Sequence, residues 1–230
     1  MVTKSGQRND IMKRIGIPAF LLSLSVLTFA FGKDLRVEGK KLLFQKPPFT
    51  VMLPSDLQLI HSSSMDNKEE NSLTRTYLFI KAKNKQAEDI LIVQIADKTN
   101  PQAGPMTIPP LKPLTEKRLF SKGKMNKKGL EINYLLQGMA WNPGAASLRP
   151  LAEKGITIPS NWALQGQCLF PYYAEHAVFI RYSKDVNSFG LKVSQKGKNW
   201  EKDSISGDEK KVYEIFQRTF MEIMDSISVQ

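Results

Sequence analysis

Over much of the chain beyond residue 40, apolar and polar residues alternate with a period of two. That is the pattern of a strand with one buried face. Phe49, Val51 and Leu53 alternate with Thr50 and Met52, and Pro54-Ser55-Asp56 ends the run. Leu57 and Leu59 continue beyond it, and a polar loop is expected over 62–72. TRTYLFIK (74–81) and ILIVQIAD (90–97) read as a hairpin turning within 83–88. Residues 99–113 hold Pro101, Pro105, Pro109, Pro110 and Pro113. Each proline fixes φ and lacks a donor, which predicts a long, stiff surface connection.

The alternation resumes after the prolines. Residues 118–123 pair plausibly with 129–142 across the basic turn Lys122–Lys128, and Asn142-Pro143-Gly144 breaks the chain. A short helix is expected around Leu148–Lys154, ending at Gly155. QGQCLFPYY (165–173) and AEHAVFIRYSKD (174–185) read as two further strands, with FGLKV (189–193) as an edge segment.

The period then changes. Val212, Ile215, Phe216, Phe220, Ile223, Met224 and Ile227 recur at spacings of three and four, which places them on one helical face. Ser206 and Glu209 form a candidate capping box at its start. Both signs of charge are mixed on the polar face, unlike the basic face of a membrane-surface helix. Strands joined by hairpins, with helices set apart, predict an α+β domain: a mostly antiparallel sheet with helices packed on it and a C-terminal amphipathic helix.

The strand–Leu-Pro opening FTVMLPSD (49–56), the hairpin-rich middle and the terminal helix IFQRTFMEIMDSI (215–227) resemble the PsbP/Mog1-like fold. That group includes the photosystem II extrinsic protein and periplasmic relatives of the DcrB type. The resemblance covers roughly residues 43–228 and lies in the order of elements. It implies a non-enzymatic exported module that binds a partner.

The N-terminal pattern differs from the rest. Ile15–Phe31 carries no charge, Lys13 and Arg14 precede it, and Ala30 and Gly32 supply small residues at its end. Thr28 and Ala30 supply a second small pair. A basic, apolar, small-residue sequence is the layout of a secretory signal peptide. Residues 1–32 are therefore expected to be a signal peptide cut after Gly32, with Met12 as a second candidate start. The alternative is an uncleaved tether, although a membrane span needs about 20 apolar residues. No cysteine follows the run, which removes a lipid anchor, and no N-x-[ST] sequon occurs. Residues 33–42 are expected to be a linker and 43–230 a single domain. The expected location is periplasmic or extracellular.

Composition fits this reading. With 230 residues, 41% apolar and 24% charged, the chain has the make-up of an ordinary globular protein. The whole chain carries +11; residues 1–32 contain four basic residues and one acidic, so the remainder carries +8.

Candidate chemistry is sparse. The only histidines are His61 and His176, and the only cysteine is Cys168. A zinc site needs three or four ligands, so no metal is expected. No Walker-type or G-x-G-x-x-G loop and no G-x-S-x-G elbow is present, so no cofactor is expected. A hairpin could bring Cys168 toward His176 as a thiolate–base couple, with Asp185 or Glu175 to orient the ring. The plainer alternative is a buried thiol filling core space. Trp141, Trp162 and Trp200 fall near predicted loops, and Trp200, in KGKNWEKD, is expected to be the most exposed.

Lys33–Lys46, Lys81–Lys85, Lys117–Lys128 and Lys192–Lys202 are locally basic. Such tips keep strand edges from associating. Clustered on one surface, they would instead attract an anionic membrane or envelope polymer. Expected partners are an envelope protein or complex, with an acidic one favoured by the charge, or that anionic surface. Export argues against nucleic acid.

Overall fold

The structure is a computed structural model and describes residues 28–31, 34–159, 161–193 and 200–229. Most of the signal-peptide segment, its cut after Gly32 and residues 194–199 of the last lysine-rich stretch lie outside the described residues. Among the described residues the alternating segments form two antiparallel sheets. The smaller contains β1 (Thr28–Phe31), β2 (Leu35–Glu38), β3 (Lys41–Gln45), β4 (Pro48–Met52) and, at the end of the chain, β12 (Ser228–Val229). The larger has seven strands: β5 (Gln58–Asn67), β6 (Ser72–Lys83), β7 (Gln86–Lys98), β8 (Leu119–Lys127), β9 (Leu130–Ala140), β10 (Trp162–Tyr172) and β11 (His176–Asp185). Their order is β5-β6-β7-β11-β10-β9-β8. Helices are few: α1 (Arg149–Glu153), α2 (Asp208–Ser226) and short 3-10 turns. The protein is thus mostly antiparallel sheet with a C-terminal helix.

The 74–81/90–97 hairpin is present but longer and tighter than the pattern predicts. Only Asn84 and Lys85 turn the chain, both at positive φ (51° and 61°), as a two-residue turn between right-twisted strands requires. The 118–123/129–142 pairing is also present, turning at Lys128-Gly129.

Four expectations need correction. Residues 33–42 are not a linker. Gly39 turns the chain at φ 58°, and Leu35 and Leu42 are buried on either side of it. Two apolar residues per short strand are enough when a second sheet covers one face. Residues 62–67 are not a loop but the outer half of β5, an edge strand whose exposed side chains need no apolar pattern. Residues 189–193 are not a strand; a 3-10 turn at Val186–Phe189 ends at Gly190 in the left-handed region. Trp200 is buried, 1% exposed, and lies so close to Gly138 that a Cβ there would strike it.

The main core fills the space between the front face of the large sheet, the small sheet and α2. Phe44 and Phe49 of the small sheet meet the rings of Tyr77 and Phe170 on the large one. In α2, Phe216 stacks on Tyr182 at 5.6 Å, and Phe220 occupies the space above Gly166 where a Cβ would collide. Val212, Phe216, Phe220, Ile223 and Met224 are buried, whereas Ile215 is exposed at the margin of the face. The start of α2 carries half of the expected capping box: Glu209 Oε2 accepts from the Ser206 backbone N–H at 3.0 Å.

The opposite, back face of the large sheet has a smaller core. Leu148 and Leu151, from the turn and helix after β9, cover Leu78, Ile80, Ile90 and Ile92 at one end. Among the described residues, the other end is crossed only by the proline-rich connection.

Candidate functional site

Cys168 and His176 do not meet. Cys168 faces Ile180 across the β10–β11 ladder, whereas His176 faces Tyr172, four residues further along. At about 3.3 Å per residue that is roughly 13 Å. The thiol is fully buried in the main core, and burial pushes its pKa up to about 12. A protonated, enclosed sulfur has the surroundings of an inert structural cysteine.

His176 belongs to a different cluster. Its Nδ1 lies 2.8 Å from Asp97 Oδ1, and Asp97 also accepts from Arg75 Nε at 2.8 Å. Arg75 reaches across to the small sheet, pairing with Asp34 at 3.0 Å and donating to the Lys46 carbonyl. The cluster joins the two sheets, and the Asp34 and Asp97 carboxylates are engaged in that junction. A second buried pair, Asp89 with Lys184 at 2.6 Å, also takes the Ser55 hydroxyl at 3.0 Å. Asp185, offered above as an orienting carboxylate, accepts from Asn161 Nδ2 at 2.8 Å and the Asn187 N–H at 3.1 Å. Burial raises its pKa. Glu175 gives its backbone carbonyl to Lys98 N–H at 2.9 Å. Among the described residues no group of three His, Cys, Asp or Glu could hold a metal ion.

The lysine-rich turns also separate. The 84–85 turn lies beyond Ile80 and Ile90, and successive registers place Leu119, where β8 begins, at that same end of the large sheet. Strand β8 runs from there to the 128–129 turn at the opposite end. Lys127 and Lys128 turn toward the chain's C-terminal segment, donating to the Asp225 and Val229 carbonyls. Cations at the end of α2 suit its dipole.

A large concave surface lies on the back face. There the proline-rich connection forms a strap across β7, β11, β10 and β9. One end is held where the Met106 N–H donates to the Ala174 carbonyl at 2.9 Å. At the other, the Leu114 N–H donates to Gln137 Oε1 at 2.8 Å. Between these anchors Ile108 and Leu111 turn partly inward, while Pro109, Pro110 and Lys112 stay exposed. A cleft of about 860 Å³ opens on the β6–β7–β11 side of the strap. A second, of about 560 Å³, opens on the β8–β9 side. The larger falls within the usual size of small-molecule sites, about 300–1,000 Å³.

Its floor is made by the residues that alternate with the main core. Thr74, Gln94, Gln167, Leu169, Ala177 and Phe179 line it. Gln94 Nε2 donates to Thr76 Oγ1 at 3.2 Å. Toward the capped end a row of buried amides crosses the sheet. Gln137 and Gln167 both donate to Gln165 Oε1, at 2.9 and 2.6 Å, and Gln165 donates to the Ser183 hydroxyl at 3.2 Å. Arg181 lies directly opposite Gln167 in the ladder.

The pattern of apolar residues does not single out this site, because a strand buried on both faces reads as one continuous run. Its signal is narrower: glutamines within IVQIA, QGQC and LLQG, polar residues inside otherwise apolar strands. Compared with protein-family models, curated proteins and solved structures, the chain matches none of them.

Proposed function

We propose that this chain is an exported, non-enzymatic binding or accessory module of the cell envelope, PsbP/Mog1-like in the order of its elements. It serves an envelope protein or complex, and the strap-roofed cleft is its binding site. The observation that carries the reading is that cleft, with an apolar and amide floor and a stiff roof anchored at both ends. Such a surface holds a ligand, and the one thiol lies away from it, enclosed in the other core. Export is supported by the basic, apolar and small-residue order of the first 32 residues.

Two measurements test this. A photo-reactive residue in place of Thr107 or Lys112 on the strap is expected to give specific adducts in intact cells, and the same residue at Lys83 none. Adducts of equal yield at both places would remove the cleft as the site. N-terminal sequencing of the native protein is expected to begin at Lys33, and a full-length chain recovered in the cytoplasmic fraction would end the envelope assignment.

A further inference from the structure

The two edge strands of the large sheet differ in kind. At one side β8 carries Lys122, Lys124 and Lys127. Lysines on an edge strand keep it from pairing with its own kind. At the other side β5 has no lysine, arginine or proline between His61 and Asn67. The start of β5 is covered, because Ile60 packs on the core of Leu148 and Leu151. A register shift between Leu59 and His61 ends that part. From His61 to Asn67 the strand then runs in unbroken register with β6, a length of about 24 Å at 3.4 Å per residue.

Residues 62–66 are exposed on both faces of the sheet, and Met65 is 64% exposed. Among the described residues no side chain from 61 to 67 makes a hydrogen bond or an ion pair, and no strand lies beyond β5. A strand ordinarily holds its register by burying one face. Here the ladder to β6 does so alone, while every second residue turns its N–H and C=O to the outer edge.

We infer that this edge is an interface with a second copy of the chain, the two β5 strands pairing antiparallel about a two-fold axis through Ser64. That register sets Ser62 opposite Asp66 of the second copy and His61 opposite its Asn67. Asp66, the only carboxylate of the seven residues, thus meets a serine hydroxyl instead of another carboxylate. Met65 stands opposite Ser63 of the second copy, so the two Met65 side chains lie diagonally on one face. Diagonal neighbours are about 7–8 Å apart, within reach of long side chains. The pairing adds roughly six to eight ladder hydrogen bonds. Within one copy Thr74 lies opposite Met65 and lines the large cleft. Pairing therefore sets two clefts on the same face of one continuous sheet. The surface is separate from the cleft and stands whatever the cleft binds.

Sedimentation of the native protein over a range of concentrations is expected to show a reversible dimer. The decisive variants sit at one exposed position. Ser62→Lys faces Asp66 of the second copy and is expected to lower the dimer dissociation constant, whereas Ser62→Asp is expected to raise it, each by about threefold or more. A general charge effect gives the reverse order, because on a chain of net charge +11 a lysine adds repulsion and an aspartate relieves it. Met65→Lys places lysines on the free edge and is expected to raise the constant by about tenfold. The unfolding midpoint of each variant, measured at a concentration where it is monomeric, is expected to stay unchanged. A spin label on Ser64→Cys is expected to show strong dipolar broadening, since directly opposite Cβ atoms lie about 5 Å apart; Cys168 is fully buried and takes no label. A chain that stays monomeric at its highest soluble concentration overturns the inference. So does a dimer whose Ser64 labels show no broadening, or one in which the two Ser62 variants act in the reverse order.

Discussion

The two faces of the seven-stranded sheet are built from the same strands and do opposite things. On the front, Tyr77, Leu91, Val93, Ile180 and Tyr182 are sealed beneath the small sheet and α2. Ion pairs lie there: Arg75 with Asp34 and Asp97, and Asp89 with Lys184. On the back, the alternate residues Thr74, Gln94, Gln167, Leu169 and Phe179 line a cleft beside a strap that touches down at its ends. Side chains on neighbouring positions of one strand point to opposite faces, so a single run of ten residues can serve a closed core and an open cleft together. The difference teaches that stability is concentrated on one face, which leaves the other free to be shaped for a ligand.

The sharpest way to break this contrast is Phe220→Ala. Phe220 is fully buried over Gly166, where the helix and sheet have no slack. Its loss is expected to cost about 3–5 kcal/mol of unfolding free energy in a urea titration. The second is Asp89→Ala, which leaves the Lys184 ammonium and the Ser55 hydroxyl facing a vacated site. Breaking a buried pair by removing one partner costs roughly 3–5 kcal/mol, and Lys184's partial exposure places the expected loss at about 3 kcal/mol.

Cys168 gives a pH-dependent test of the same face. Burial raises its pKa to about 12 in the folded chain, whereas an exposed thiol titrates near 8.5. Its thiol is therefore expected to ignore Ellman's reagent at pH 8 until urea unfolds the protein. Because the folded value is the higher one, its contribution is intact below about pH 8.5 and is lost as pH rises toward the folded value. Cys168→Ala is expected to flatten that alkaline decline, at a loss of about 1 kcal/mol at neutral pH.

The smallest effect belongs to the back face. Phe179 is only half-buried, so Phe179→Ala is expected to cost less than about 1 kcal/mol of stability. It is expected to lower the yield of the strap cross-links from Thr107 and Lys112. A loss of stability there as large as that of Phe220→Ala would erase the distinction between the faces.

Much of the fold was legible because it is local. A period of two marks a strand wherever one face is buried, and a period of three to four marks α2, whatever they pack against. That logic located the 74–81/90–97 hairpin, the proline-rich connection and the terminal helix. It failed at Leu35–Phe44, whose two short strands have too few residues to show a period. It failed again at Trp200, surrounded in sequence by charges yet enclosed beside Gly138. Of the candidate site, Cys168 and His176 were visible as residue types, but their separation depends on the β10–β11 register.

By itself, then, the amino-acid sequence determined the strand and helix segments, the stiffness of 99–113 and the lack of a nucleotide-binding loop, since each depends on neighbours along the chain. Tertiary structure alone decided which half of each apolar run became core, where the proline strap crosses, and that Gln94, Gln167 and Phe179 line the cleft beside it. Those outcomes rest on pairings between residues tens of positions apart, and a one-residue change of register would have turned every one of them to the other face.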